Sequence, residues 1–87
     1  MDIKVSRLKE VNLQGPVYVD AYYYVTSIYS AEESSNFPGH TCVILVPEGI
    51  EIVINEKVDN FKERVDQIFE NYDEKEREAR KRDNLGF

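Results

Sequence analysis

The most constraining feature of the sequence is a pair of short apolar runs, residues 41–46 and 50–55, separated by a turn that contains Pro47 and Gly49. Proline presets the φ angle of the second position of a type I turn, and glycine can take the left-handed conformation that closes a bulged hairpin. In the second run isoleucine alternates with other residues, which is the period of a half-buried strand. The first run has no polar face, so we expect an internal strand covered on both sides.

An amphipathic helix is predicted immediately after this hairpin. Asn55 is the predicted N-cap residue, and apolar residues then recur at alternating spacings of three and four. This apolar face comprises Val58, Phe61, Val65, Ile68 and Tyr72, and Phe69 widens it. Packing of the helix on the hairpin predicts a core formed by Val43, Leu45, Ile52, Ile54, Phe61, Val65 and Ile68.

The residues before the hairpin predict further strands. Ile3 and Val5 alternate with polar residues, and a break at residues 14–16 indicates a hairpin turn. The aromatic, β-prone segment up to Ser30 is either one long strand or two strands divided by a turn at residues 20–22, and we favour the turn. Residues 31–40 are polar and predict a surface loop.

These elements predict an α+β fold: a small, strongly bent antiparallel sheet of four to five strands, partly barrel-like, with one long C-terminal helix across its open side. Residues 1–72 would form a single domain, and residues 73–87 a charged helical extension and tail. A helix over residues 56–82 would be about 40 Å long, which exceeds the width of a domain of this size. Its last turns should therefore project into solvent or lie on another subunit.

The composition indicates a small protein of a reducing compartment. A chain of 87 residues buries only roughly 60 to 65 % of its unfolded surface, so self-association would stabilise it. A single cysteine, Cys42, excludes an internal disulfide bond. We find no signal-peptide pattern and no apolar run long enough to span a bilayer, and so expect a cytoplasmic location.

The charges are unevenly distributed along the chain. The net charge is −6, which disfavours a general nucleic-acid-binding protein because contacts to phosphate dominate such affinity. Residues 75–87 hold five basic and three acidic side chains, a net charge of +2, so the preceding residues carry −8.

The residue types that support catalysis or metal binding are scarce. His40 is the only histidine and lies two residues before Cys42 at the start of a core strand, with no third group to orient a nucleophile pair. One cysteine and one histidine do not supply a metal site. We therefore predict neither an enzyme nor a cofactor-binding protein.

The tyrosines are the most unusual feature, since six occur without any tryptophan. Tyr22, Tyr24 and Tyr29 belong to a cluster that is either a set of half-buried strand residues or a contact patch for a partner or ligand. Arg7 beside such a patch would create a pocket for an anion or nucleotide. Phe37, within the polar loop, either anchors the loop on the core or is offered to a partner.

The C-terminal segment also permits two interpretations. It is either a frayed end or a docking element, in which Arg77 and Arg80 lie against an acidic neighbour while Leu85 and Phe87 enter an apolar groove.

The order of motifs resembles that of the FlbD/SwrD-type small flagellar and swarming motility proteins. The resemblance covers residues 3–72. It rests on Ile3-Lys-Val-Ser-Arg-Leu8, Val17-Tyr-Val-Asp20 followed by a turn and Val25-Thr-Ser-Ile28, Thr41-Cys-Val-Ile-Leu45, the turn glycine Gly49 and Ile52-Val-Ile54 before the helix. It implies a bacterial protein with short strands and a closing helix. The chain departs from the pattern at residues 20–21 and 47–49, in its longer loop and in its charged extension, and a phage or mobile-element protein on the same scaffold fits equally well.

These observations favour a non-enzymatic interaction protein that self-associates and regulates or inhibits a host or bacterial protein by binding it. The alternative is a protein that binds or sequesters a small nucleotide-like anionic signal in a tyrosine- and arginine-lined pocket between subunits.

Overall fold

A computed structural model describes the backbone of residues 2–85 and the side chains of residues 2–72. It contains five strands and one long helix, in the order β1 (Asp2–Asn12), β2 (Gly15–Tyr24), a 3-10 turn (Val25–Ser27), β3 (Ile28–Glu33), β4 (Thr41–Leu45), β5 (Ile50–Ile54) and α1 (Val58–Leu85). The predicted α+β fold with one C-terminal helix is therefore confirmed.

The five strands form one antiparallel sheet in the order β2-β1-β5-β4-β3. The expectation of a strongly bent, partly barrel-like sheet is wrong, because β2 and β3 occupy opposite ends of this sheet and do not pair with each other within residues 2–85. Closure of a barrel would require that pairing. Helix α1 covers one face of this open sheet. We call this face the helix face and the opposite one the outer face.

The aromatic segment is divided into two strands, but not at the predicted place. Strand β2 continues through residues 20–22 to Tyr24, and the break is the 3-10 turn at Val25–Ser27. Ala21 pairs with Val5 and Asp20 with Ser6, so the chain keeps its ladder with β1 where a turn was expected. Val25 is 2 % exposed, and its burial fixes the break five residues later than expected.

The β4–β5 hairpin forms where the sequence predicts it. Gly49 has a φ angle of +73°, the left-handed conformation expected of it, and the Val46–Pro47 peptide bond is cis. Strand β4 is internal, between β5 and β3, as predicted. Its residues alternate between buried on the helix face and half-buried on the outer face, so the outer face is covered only in part.

The core lies between the helix face and α1. Five of the seven predicted core residues are buried, namely Val43, Leu45, Ile52, Ile54 and Phe61, whereas Val65 and Ile68 are half-buried at its margin. Ile3 and Val5 of β1 and Val25 of the 3-10 turn complete the core and were not predicted. Their contribution depends on the placement of the β1–β2 hairpin next to β5, which the local pattern does not specify.

The helix begins at Val58, three residues after the predicted N-cap. Asn55 continues the sheet instead, because its N–H donates to the Ser6 carbonyl at 2.9 Å. The buried Thr41 hydroxyl then donates to the Glu56 carbonyl at 2.7 Å, and the first helical hydrogen bond runs from the Phe61 N–H to the Lys57 carbonyl. The hydrogen bonds that Asn55 makes with β1 and Glu56 makes with β4 keep both residues out of the helix, which therefore begins later than predicted.

The helix extends beyond the sheet. With 28 residues it is about 42 Å long at 1.5 Å per residue, and the chain measures 64 × 24 × 19 Å. Phe69 and Tyr72, expected on the packed face, are 37 % and 47 % exposed. The part of the apolar helix face that packs on the sheet therefore ends at Ile68. Within the described residues, no helix combines the length and apolar character needed to cross a membrane.

Replacement of Leu45 by alanine tests this core. Leu45 is 6 % exposed, and we expect Leu45→Ala to lower the free energy of unfolding by about 2 to 5 kcal/mol, because the lost apolar contacts leave a cavity. Urea unfolding followed by circular dichroism measures the change. The exposed Val11, also apolar and in a strand, serves as the control; a loss below about 1 kcal/mol for Leu45→Ala would show that the hairpin packs differently.

Candidate interaction surfaces

Strand β2 forms one free edge of the sheet and carries two exposed tyrosines. Tyr22 and Tyr24 pair with Lys4 and Asp2 of β1 and are 65 % and 64 % exposed. They lie on the outer face, because the intervening Tyr23 packs against the helix-face core. The edge therefore presents aromatic area that the monomer does not cover.

Strand β3 forms the opposite edge and carries Tyr29, which is 73 % exposed. Three strands separate it from β2, so the structure does not combine Tyr29 with Tyr22 and Tyr24 in a single patch. Tyr29 lies beside a cleft of about 450 Å³ between β3 and the helix residues Phe61 and Val65. The tyrosine-rich segment thus supplies two separate surfaces.

Arg7 lies in the middle of the sheet, paired with Val19 and Ile54. It is half-buried, and alternation along β1 places it on the helix face together with Ile3 and Val5. Its Nε atom is buried without a hydrogen-bond partner among the described residues. The arrangement does not bring Arg7 to the exposed tyrosines of β2.

Phe37 is half-buried in the 34–40 loop. Its ring lies 6.0 Å from the His40 ring, which in turn stacks on Tyr18 at 5.7 Å between ring centroids. His40 Nδ1 lies 3.1 Å from the Pro38 carbonyl, which can only accept, so Nδ1 carries the proton and Nε2 accepts from the Tyr18 hydroxyl at 2.6 Å. Through His40 and Tyr18 the loop contacts the β1–β2 hairpin. These two residues are 22 positions apart in the chain, and no sequence pattern indicates their contact.

A cleft of about 560 Å³ lies between the end of this loop and the start of α1. It is lined by His40 and Lys57 but also by three carboxylates, those of Glu33, Asp59 and Glu63. Asp59 lies in the first turn of α1, where the helix dipole stabilises an acid. The resulting charge does not favour an anionic ligand in this cleft.

The tip of the β1–β2 hairpin is another apolar surface that sequence reasoning missed. Val11 is 57 % exposed, and Leu13, in the two-residue turn, is fully exposed. The sequence feature that could have predicted this surface is the position of Leu13 between Asn12 and Gly15, because it places an apolar residue in a turn.

Cys42 is the only free thiol among the described residues, and its surroundings favour the protonated form of the thiol. It lies half-buried on the outer face and donates its S–H to Glu51 Oε1 at 2.9 Å. This hydrogen bond, with further contributions from burial and from the charges of Glu51 and Glu32, raises the pKa of the thiol from 9.0 to about 11. Cys42 is therefore a poor nucleophile at neutral pH.

Four predicted contact residues, Arg77, Arg80, Leu85 and Phe87, have side chains outside the described part of the chain. Within the described residues, no three His, Cys, Asp or Glu side chains are arranged to hold a metal ion.

Comparison with known proteins adds no relative: no family model, no curated protein and no solved structure matches the chain. The resemblance to the FlbD/SwrD-type motility proteins stays a prediction.

The pairing of Cys42 with Glu51 predicts a change in thiol reactivity. Because the thiolate is the reactive form, Glu51→Ala should lower the pKa of Cys42 from about 11 towards 9.0 and accelerate alkylation by iodoacetamide at mildly alkaline pH. The rate measured as a function of pH gives the pKa directly. Glu48→Ala, in the exposed turn of the same hairpin, is the matched control; equal rates for the two variants would contradict the assignment.

Proposed function

We propose that this protein is a non-enzymatic interaction protein that associates with copies of itself and regulates a partner protein by binding it. The observation that supports the proposal is the placement of three exposed tyrosines, Tyr22, Tyr24 and Tyr29, on the two free edges of an open sheet. Tyrosine contributes large, rigid, amphipathic area at protein interfaces. A sheet edge adds unpaired backbone donors and acceptors that another chain can satisfy.

The two edges are suited to two different contacts. They lie at opposite ends of the strand order, with three strands between them. A chain bound at one edge therefore leaves the other edge accessible. An arrangement of this kind allows self-association at one edge and binding of a regulated partner at the other. The edge of β3, next to the cleft formed with α1, offers a concave surface with both apolar and charged residues for the second contact.

The alternative, a protein that binds a nucleotide-like anion, has less support. Arg7 lies away from the exposed tyrosines, and the cleft at the start of α1 carries three carboxylates against one lysine and one histidine. Repulsion between these carboxylates and a phosphate group would weaken binding. We therefore retain the interaction protein as the proposed function.

Removal of the edge tyrosines tests the proposal. Sedimentation velocity should show a sedimentation coefficient that rises with concentration for the unmodified chain. The triple variant Tyr22→Ser, Tyr24→Ser, Tyr29→Ser should associate less, because it loses apolar contact area without loss of core packing. Its free energy of unfolding should change by no more than about 0.5 kcal/mol per substitution, as for other surface changes.

Tyr72→Ser is the matched control, since Tyr72 is an exposed tyrosine of α1 that lies off the sheet. If it reduces association as much as the triple variant, the sheet edges are not the contact surface. A partner protein captured by the unmodified chain should be lost with the triple variant and retained with Tyr72→Ser. A chain that stays monomeric at all concentrations would contradict self-association.

A panel of nucleotides separates the two functions. A ligand present at about a hundred times its Kd would add about 2.7 kcal/mol of stability and raise the melting temperature. We expect no such rise for any nucleotide, because the described clefts are acidic. A reproducible rise that disappears in an Arg7→Gln variant, but not in a Lys9→Gln control, would favour the alternative.

A further inference from the structure

The two free edges differ in their protection against pairing with another copy of the chain. Edge strands are commonly protected by charged residues, which repel a second strand. Strand β3 ends in Glu32 and Glu33, both exposed, so a strand that pairs with this edge has two carboxylates beside it. Strand β2 has a single charged residue, Asp20, over ten residues.

Asp20 forms an exposed ion pair within its own chain. Its Oδ2 atom lies 3.6 Å from Lys4 Nζ on the neighbouring strand β1. Strand β2 is therefore a long, tyrosine-rich edge whose one charged residue pairs with a lysine of the same chain.

The β1–β2 turn determines which backbone groups of β2 point outward. Asn12 pairs with Gly15 across a two-residue loop, and in such hairpins this closing pair is hydrogen-bonded. Alternation along the strand then directs the backbone groups of Pro16, Tyr18, Asp20, Tyr22 and Tyr24 towards the free edge. The position of Pro16 agrees with this assignment, since its missing N–H removes no ladder hydrogen bond.

We propose that β2 pairs antiparallel with β2 of a second copy, with a two-fold axis at Ala21, and so joins two five-stranded sheets into one. This inference rests on the proposed function, because it specifies the contact by which the chain self-associates. Each outward backbone group from Tyr18 to Tyr24 then finds a partner, since Asp20 lies opposite Tyr22 and Tyr18 opposite Tyr24 of the other copy.

Two other registers are less favourable. An axis at Asp20 places two carboxylates directly opposite each other, and like charges in cross-strand pairs are destabilising. An axis at Val19 places Tyr22 opposite Pro16, which has no N–H to donate. The axis at Ala21 avoids both and pairs tyrosines across the interface, where aromatic pairs are favourable.

Proline substitution at the edge tests the backbone contact. Tyr22→Pro removes an outward N–H from each copy, so the dimer loses two hydrogen bonds and we expect its Kd to rise by roughly tenfold or more. Tyr22→Ala is the matched control, because it removes the same side chain and keeps the N–H; its Kd should rise less. Circular dichroism and urea unfolding should show that both monomers stay folded.

Cysteine cross-linking tests the register and does not depend on the proline variant. In a Cys42→Ala background, Ala21→Cys places two thiols in a directly opposed pair with Cα atoms about 4.5 Å apart, within the range of a disulfide. Tyr24→Cys is the control, because its two copies would lie about 20 Å apart along the strands. Under mild oxidation we expect a covalent dimer for Ala21→Cys only.

The outcomes separate this inference from the proposed function. A monomeric unmodified chain would overturn both. If the unmodified chain dimerises but Tyr22→Pro stays folded and dimerises with unchanged Kd, or if Ala21→Cys forms no covalent dimer, then β2 is not the contact and self-association through another surface stands. A covalent dimer of Tyr24→Cys would overturn the register.

Discussion

The fold depends on one apolar cluster that joins two otherwise weakly connected parts of the sheet. Strand β1 pairs with β5 at a single register position, Arg7 with Ile54, extended by the hydrogen bond from Asn55 to Ser6. Few ladder hydrogen bonds therefore hold the β1–β2 hairpin to the other three strands. Phe61 of α1 is 1 % exposed and belongs to one cluster with core residues of β1, β4 and β5. Burial of this aromatic ring and its neighbours stabilises the joined sheet.

Polar contacts at the start of α1 reinforce this junction. Arg64 donates through Nη2 to the Lys4 carbonyl of β1 and through Nη1 to Glu56 Oε1, both at 2.5 Å. Glu56 also accepts from Asn60 Nδ2 at 2.5 Å, so its carboxylate lies among donors of the first helical turns. The Arg64–Glu56 pair is partly shielded from water, since the Glu56 side chain is 13 % exposed. These contacts orient the helix relative to β1, whereas the cluster around Phe61 supplies the apolar burial.

An open sheet of this kind leaves two edges whose chemistry differs. Strand β3 ends in two exposed carboxylates, whereas β2 carries tyrosines and a single charged residue, Asp20, which pairs with Lys4 of the same chain. The helix covers only one face, so the outer face and both edges remain available for contacts. For a small domain with limited internal burial, association through such an edge adds hydrogen bonds and apolar contacts that the monomer cannot make.

The sequence by itself determined the β4–β5 hairpin, the helix and most of the core, because their signals are local. Alternation in residues 50–54, the left-handed Gly49 and the helical spacing of Phe61 and Val65 require no knowledge of distant residues. Only the tertiary structure decided which strands are neighbours and therefore where the tyrosines lie. The order β2-β1-β5-β4-β3 places Tyr22 and Tyr29 on opposite edges, although only seven positions separate them in the chain. Strand order depends on apolar contacts and hydrogen bonds between residues far apart in the chain, such as Ile3 with the Phe61 cluster and Tyr18 with His40, and such contacts have no local periodicity from which to predict them.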